Sequence, residues 1–217
     1  MECIRSSLCF NPLVCPFYGL STFGQGIGRL LSCNFLDCCK SEEKRGVVIV
    51  TGANRNVGYF TAKALLQQGH RLIILCRNKK KGMRAVNRLK ARTGNHMVEL
   101  GLLMMHSFQV GRPWGFGIGC KVRILINNAG AISNHAMDIN HLGHFALSIG
   151  LLSRIIEGEG VIVNVASCAH WTANINEKFI GEKFLKNVPG RRGSSWEEYC
   201  SSKAANVLFT KVQQALH

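Results

Sequence analysis

Five short apolar runs, each rich in β-branched residues, alternate along the chain with longer stretches of helical spacing. Continuous apolar runs of this length suit strands that are buried on both faces. Strands alternating with helices are typical of a parallel sheet with right-handed crossovers. The pattern therefore predicts an α/β fold with a doubly wound parallel sheet over residues 46–217. The predicted strands are 47–51, 71–76, 97–103, 122–126 and 161–165, and the predicted helices are 57–65, 79–91, 135–156 and 196–216.

The first 45 residues do not share this alternation. They hold six of the ten cysteines, without a C-x-x-C or a paired Cys/His spacing that would bind zinc. The moderately apolar stretch from Leu8 to Leu31 is interrupted by prolines and glycines, and it never reaches the ~18 apolar residues of a membrane span. We therefore expect residues 1–45 to form a Cys-rich leader that is poorly ordered or lies on a membrane surface.

The net charge of +15 favours anionic partners, which include nucleic acid, an anionic lipid surface and a phosphorylated ligand. No Asp or Glu occurs between Glu43 and Glu99, and nine cations crowd the stretch from Arg71 to Arg92. A solvated helix face is the alternative interpretation of this stretch. Nucleic acid is the least favoured partner, because aromatic residues are not interleaved with the cations.

The stretch "VVIVTGANRNVG", residues 47–58, leads from the first predicted strand into the first predicted helix through a short polar loop. At this position of a βαβ unit, free backbone N–H groups and the helix dipole favour a pyrophosphate. Tight strand-to-helix turns also need glycine for structural reasons alone. Asn56 suits the turn because asparagine enters the left-handed region more readily than most residues. The predicted phosphate-binding residues of this Rossmann-type loop are Gly52, Asn54, Arg55, Asn56, Val57 and Gly58.

The end of the second predicted strand bears on the choice of dinucleotide. A site for NAD normally has an Asp or Glu here for the ribose 2′-hydroxyl, whereas a site for NADP offers arginine to the 2′-phosphate. The strand "RLIIL" ends in Cys76-Arg77-Asn78 with no acid nearby, and Arg55 is a second candidate cation. The sequence therefore predicts NADP(H) as the cofactor. The alternative is that both arginines are merely exposed.

Two later strands also end in small or polar residues. "ILINNAG" (124–130) suits a sheet edge where Asn128, Ala129 and Gly130 approach a ligand closely, and "VIVNVASCAH" puts Ser167 just beyond another strand. In "YCSSK", Tyr199 and Lys203 share one face of a helix. A nearby ammonium favours the phenolate, which predicts Tyr199 as a proton donor and acceptor. On its own, a Tyr-x-x-x-Lys motif often occurs by chance.

These motifs, in this order, resemble the short-chain dehydrogenase/reductase family over about residues 46–217. The stretches "INHLGHFALSIGLL", "VNVASCAH", "GEK" and "YCSSKAANVLFT" are similar to its retinol-dehydrogenase-like branch. The resemblance implies hydride transfer between NADP(H) and a lipophilic alcohol or carbonyl, such as a retinoid. It also implies a tetrad in which Tyr199 exchanges the proton, Ser167 hydrogen-bonds the substrate oxygen, Lys203 favours the phenolate and holds the nicotinamide ribose, and Asn140 supports a relay water.

The chain departs from the family pattern in several places. Asn56 stands at the middle glycine of the family's loop, and Gly101 stands where the family commonly has an adenine-binding aspartate. The Gly-rich "GRPWGFGIG" replaces the helix before "ILINNAG", and the chain ends at His217, soon after Lys203. We therefore expect the family's C-terminal strands and substrate lid to be missing and the activity to be impaired. The alternative is a non-catalytic module that binds nucleotide or a partner.

For partners, the resemblance implies a small lipophilic substrate and no specific nucleic acid. A membrane-surface contact and a homodimer both stay open at this point. So does the location, which is either the endoplasmic reticulum membrane or the cytoplasm.

Overall fold

A single parallel sheet of five strands forms the centre of the chain. The computed structural model describes residues 46–105, 120–173 and 194–215, and within them the strand order is β3-β2-β1-β4-β5. This order confirms the predicted doubly wound Rossmann-type sheet, and no strand follows β5 in the described ranges. The strands are β1 Val47–Thr51, β2 Leu72–Cys76, β3 Val98–Leu102, β4 Val122–Asn127 and β5 Val161–Asn164.

Apolar side chains cover both faces of this sheet, as the continuous apolar runs require. In β1, Val48 and Val50 point into a core with the first two helices, while Ile49 points to the opposite face. Residues Leu147 and Ile155 from later helices complete that second core. Both faces of β1, β2, β4 and β5 are therefore buried, and in open sheets of this kind ligands bind at the carboxyl ends of the strands.

Helices connect the strands at the predicted places. The described helices are α1 Asn56–Gln67, α2 Lys79–Thr93, α3 Gly143–Gly150, α4 Leu152–Glu157 and α5 Ser195–Ala215. The Asn78 side chain caps α2 by accepting a hydrogen bond from the backbone N–H of Lys81 at 2.9 Å. None of the helices within the described ranges is long and apolar enough to cross a membrane.

The predicted continuous helix over 135–156 was wrong in detail. Its first part is a π-helical segment, Asp138–Leu142, and the later part breaks at Leu151, whose backbone has φ −103° and ψ 0°. π-Helical turns leave a carbonyl without its usual partner and are frequent at functional sites. The predicted leader (1–45) and the Gly-rich stretch (111–119) lie outside the described residues.

Candidate active site

The strand order reverses direction at β1, which pairs with β2 on one side and with β4 on the other. In open α/β sheets the loops that follow two such neighbouring strands diverge and leave a crevice at their carboxyl ends. The residues after Thr51 and those after Asn127 border this crevice. These are the two loops for which the sequence predicts cofactor contacts.

The Thr51 side chain ties the two loops together. Its hydroxyl oxygen accepts hydrogen bonds from the backbone N–H groups of Asn128 and Ala129, both at 2.9 Å. The amide of Asn128 returns a bond to the Thr51 carbonyl at 2.9 Å. The two loops are therefore held in one fixed arrangement, which sequence reasoning did not assign to Thr51.

A fully buried histidine supports this arrangement from below. His144 Nδ1 lies 2.9 Å from the carbonyl oxygen of Asn140, and its Nε2 lies 2.8 Å from Thr51 Oγ1. Because a carbonyl only accepts hydrogen bonds, Nδ1 carries the proton and Nε2 accepts from the Thr51 hydroxyl. Desolvation lowers the pKa of His144 to about 4, so the ring is neutral near pH 7.

We expect His144 to make the fold sensitive to acid. As pH falls from 6.5 to about 4, the unfolded chain protonates this histidine and the folded chain does not. The free energy of unfolding should therefore fall by about 3 kcal/mol from this group alone. Chemical denaturation at a series of pH values measures it. A His144→Asn variant, which keeps a donor for the Asn140 carbonyl, should lack this component, and an identical slope in both proteins would contradict the assignment.

The loop after β1 has the geometry of a close-approach turn. Gly52 has φ +67°, and a Cβ there would lie 2.8 Å from the Ala129 Cα. A Cβ on Gly58 would collide with the Asn128 amide. Asn56 takes a left-handed backbone with φ +49°, as the sequence analysis expects for this residue.

The first turn of α1 offers its backbone donors to a ligand. Arg55 is the N-cap residue, and no side chain caps the helix. The first N–H groups of a helix have no intrahelical partner, so they suit an anion. Arg55 and Asn56 are exposed at this turn, and Asn54 and Val57 are half-buried. The loop therefore fits a dinucleotide pyrophosphate.

The end of β2 contacts the same loop. The backbone N–H groups of Ala53 and Asn54 donate to the Cys76 thiol, whose pKa is raised chiefly by burial. Arg77 follows directly and is exposed. Its side chain has no ion pair within the described part of the chain. The exposed Arg77 thus directly follows the strand end that contacts the loop after β1.

The described range 46–105 places no carboxylate beside Arg77. In the described range 46–105 the only carboxylate is that of Glu99, which pairs with Arg71 at 2.9 Å near the opposite ends of their strands. Gly101 is the residue of β3 opposite Leu75, so the acid that the family commonly has there is absent. The electrostatics of the edge favour an anion.

Lys203 reaches the crevice from α5. It is 4% exposed, and its ammonium donates to the Val165 carbonyl at 2.9 Å. A Cβ on Gly130 would lie 3.6 Å from Lys203 Nζ and 3.5 Å from Asn140 Oδ1. The structure therefore brings Gly130, Asn140 and Lys203 together.

Asn140 connects three elements around this point. Its side-chain amide accepts from the Ala131 N–H at 2.8 Å and donates to the Ala131 carbonyl and to Ser202 Oγ. Its backbone carbonyl accepts from Asn206 Nδ2 at 3.0 Å as well as from His144. The π-helical segment makes that carbonyl available for two side chains. The relay-water role implied by the family resemblance stays a prediction.

The Tyr199 ring lies between two side chains of its own helix. The indole of Trp196 stacks on it with centroids 5.7 Å apart, and Lys203 Nζ lies 5.7 Å from its centroid. The phenol is half-buried, and within the described residues its hydroxyl has no hydrogen-bond partner. No side chain or backbone group among the described residues therefore occupies this hydroxyl.

Ser167 follows β5 and begins a 3-10 turn, Cys168–Thr172. Its hydroxyl accepts from the Ala169 N–H at 3.3 Å. The turn packs on α5, where Thr172 Oγ1 donates to Cys200 Sγ at 3.2 Å. Ser167 and Tyr199 therefore belong to neighbouring elements at the carboxyl end of the sheet.

Comparison with known proteins decides the family. Residues 46–177 match the family model described as short chain dehydrogenase. The chain belongs to this family. Short-chain dehydrogenases use nicotinamide cofactors, in agreement with the crevice at the β1 and β4 loops.

Retinol dehydrogenases are among the similar curated proteins. The chain is 36% identical over 180 residues to human retinol dehydrogenase 11 and 34% identical over 180 residues to human retinol dehydrogenase 12. In each case the match covers 76% of this chain and 54% of the relative. The chain thus spans about half the length of the curated relatives it matches.

Solved structures support the same fold. An uncharacterised protein from Mycobacterium paratuberculosis has a TM-score of 0.62 at 33% identity, covering 79% of this chain and 63% of that chain. A short-chain dehydrogenase from Sphingobium yanoikuyae in complex with NADPH has a TM-score of 0.57 at 19% identity, covering 79% of this chain and 65% of that chain.

Several polar residues around this candidate site were not predicted from sequence. Asn127 and Asn164, which are paired across β4 and β5, join at 2.8 Å, and Asn164 donates on to Thr210 at 2.9 Å. Lys203, Asn206 and Thr210 follow one another at i, i+3 and i+7, which puts them on one face of α5. This spacing could have indicated their role from the sequence, because polar residues that recur on one face of a helix often pack against polar partners.

Replacing Lys203 by methionine should stabilise this chain. Burial lowers the pKa of Lys203 to about 8, so below pH 8 the folded chain bears the full cost of the charged form. After allowing for the lost bond to Val165, we expect a gain of about 2 kcal/mol at pH 7. The gain should shrink as pH rises from 8 to 10.5.

Urea denaturation at pH 7 and pH 10 measures this effect. Lys211→Met changes an exposed lysine of the same helix and should leave the stability nearly unchanged. A Lys203→Met variant that is less stable than the parent at pH 7 would contradict the assigned cost of burying this ammonium.

Proposed function

We propose that this chain is an NADP(H)-dependent oxidoreductase acting on a lipophilic alcohol or carbonyl, such as a retinoid. The observation that carries the proposal is the buried Lys203, one helical turn from the half-buried Tyr199, beside the crevice of a family that uses nicotinamide cofactors. The similarity to proteins named retinol dehydrogenases supports the substrate class.

The geometry of the loops after β1 and β2 supports NADP(H) as the proposed cofactor. Backbone N–H groups at the start of α1 would bind the pyrophosphate, and Arg77 would bind the 2′-phosphate as a charge-assisted pair. When bound, NADPH supplies the hydride for carbonyl reduction. The residues proposed to contact it are Gly52, Asn54, Arg55, Asn56, Val57, Gly58, Arg77, Asn128, Ala129, Gly130, Tyr199 and Lys203.

The chain's own residues would handle the proton. In reduction, the Tyr199 hydroxyl donates a proton to the substrate oxygen while Ser167 Oγ hydrogen-bonds that oxygen. Lys203 is charged at neutral pH, because its pKa of about 8 lies above 7, and its ammonium stabilises the phenolate left behind. Asn140 contributes by holding Ala131 and Ser202 in position.

Exposed aromatic rings support an apolar substrate. Trp171 is 69% exposed in the turn that follows Ser167, and Trp196 is 51% exposed beside Tyr199. Large aromatic surfaces next to a few polar groups are typical of sites for lipophilic ligands. The substrate's hydroxyl or carbonyl would then face Ser167 and Tyr199.

A second candidate function is a non-catalytic nucleotide-binding module. It is favoured by Asn56, whose side chain stands at the turn where a pyrophosphate approaches most closely. Such a module would bind NADPH and leave a carbonyl unchanged.

One pair of measurements separates the two candidates. NADPH and NADH are titrated into the purified chain, and consumption of NADPH is then followed with all-trans-retinal. We expect tighter binding of NADPH and retinal-dependent consumption. NADPH binding without turnover of any lipophilic aldehyde would favour the module, and absence of nucleotide binding would overturn both proposals.

A further inference from the structure

Helix α2 carries charge of one sign only. Its seven charged residues are all cationic, and the side that packs on the sheet consists of Gly82, Ala85, Val86 and Leu89. The cations therefore lie on the outward surface of the helix, which we call the α2 face. Its members are Lys79, Lys80, Lys81, Arg84, Arg88, Lys90 and Arg92.

The cations of the α2 face repel one another. Lys80, Arg84, Arg88 and Arg92 follow one another at intervals of four residues, so like charges are neighbours along one stripe and destabilise the helix. The three lysines of the first turn lie at the positive end of the helix dipole, where acids are preferred. Within the described ranges no carboxylate forms an ion pair with any member of the α2 face. An anionic partner would relieve this repulsion.

Exposed apolar side chains accompany the cations. Met83, on α2, is 43% exposed, and Met97, just before the edge strand β3, is 46% exposed. Gly82 packs directly on Leu100 of that strand, so α2 and β3 form one continuous edge of the molecule. Flexible apolar side chains among cations suit the boundary between lipid headgroups and acyl chains.

Nucleic acid fits this edge less well. Binding of single strands relies on aromatic rings for base stacking, and α2 has none. Attraction to anionic headgroups relies on clustered Lys and Arg at the membrane surface. The α2 face has such a cluster, and α2 itself contains no Asp or Glu.

We infer that the α2 face docks the chain on an anionic lipid bilayer, with the cations against the headgroups and Met83 and Met97 at the acyl boundary. This docking does not depend on the proposed oxidoreductase activity. It brings the sheet edge next to Arg77 towards the bilayer, since Arg77 directly precedes the cap of α2.

Vesicle binding tests the inference. The full chain is sedimented with phosphatidylcholine vesicles that contain or lack phosphatidylserine. We expect binding only to the anionic vesicles, weakening as salt increases. Arg84→Glu combined with Arg92→Glu should lower the partition coefficient by about 30-fold or more, the loss expected from two headgroup contacts.

A matched variant separates the effect of the α2 face from the effect of the net charge. Lys121→Glu with Lys211→Glu changes two exposed lysines outside α2 and alters the net charge equally. It should cause a much smaller loss. Equal losses in the two double variants, or equal binding to neutral vesicles, would overturn the inference. Binding of single-stranded DNA with the same dependence on Arg84 and Arg92, without vesicle binding, would assign the face to nucleic acid instead.

A measurement of thermal stability shows whether loss of vesicle binding comes from misfolding of the variant. Arg84→Glu alone converts its contacts with Lys80 and Arg88 from repulsive to attractive, so its thermal midpoint in solution should rise. A lower midpoint would contradict the repulsion on which the inference rests.

Discussion

Tyr199→Phe is expected to abolish carbonyl reduction while NADPH binding stays nearly intact. The variant loses only the hydroxyl, and that hydroxyl makes no hydrogen bond with the rest of the described structure, so neither the fold nor the cofactor loops should change. A positioned general acid contributes about 10²- to 10⁴-fold to the rate. Initial rates of NADPH consumption with all-trans-retinal, beside a nucleotide titration, measure both quantities.

Tyr59→Phe provides the matched control. This second tyrosine lies in α1, and its buried hydroxyl has no hydrogen-bond partner among the described residues. Its removal should leave turnover unchanged and not reduce stability. Full activity of the Tyr199→Phe protein would show that another group exchanges the proton.

Arg77→Ala is expected to erase most of the preference for NADPH over NADH. A charge-assisted contact with the 2′-phosphate contributes roughly 1.5 to 3 kcal/mol, which is about 10- to 150-fold in affinity. NADH affinity should hardly change, because NADH has no 2′-phosphate. Dissociation constants for the two cofactors in both proteins measure the difference.

Arg71→Ala controls for the loss of one positive charge. Arg71 is also an exposed arginine next to β2, but it lies at the opposite end of the strand and pairs with Glu99. Its removal should leave the cofactor preference unchanged. Equal affinities for NADPH and NADH in the unmodified chain would refute the assignment of Arg77.

The sheet could be predicted from sequence because four of its five strands are buried at every position. A strand such as Val122–Asn127, buried at every position, must be apolar nearly throughout, and that leaves a run that is easy to see. The spacing of Tyr199 and Lys203 on one helix could be predicted as well, because it follows from local sequence, while the tetrad itself stays a prediction. These local signals do not depend on distant residues.

The supporting contacts could not be predicted because they join residues far apart in sequence. The bond between Thr51 and His144 joins residues separated by 93 positions, and neither residue type indicates the other. The π-helical turn at Asn140 likewise depends on Ala131, Ser202 and Asn206, which meet it only in the folded chain. Periodicity alone therefore predicted an ordinary helix there.

The asparagine pair across β4 and β5 restricts how the chain can misassemble. Apart from these asparagines, the paired residues of the two strands are all Val, Ile or Leu, so a shift by two residues keeps apolar side chains on the same faces and differs in residue type chiefly at the asparagines. Sliding would separate Asn127 from Asn164 and leave buried amides unpaired, which is expensive. Ser167 lies three residues beyond Asn164, so the same pair also fixes where the turn after β5 begins. A change at Asn164 should therefore produce a mixture of strand registers around Ser167 before it unfolds the sheet.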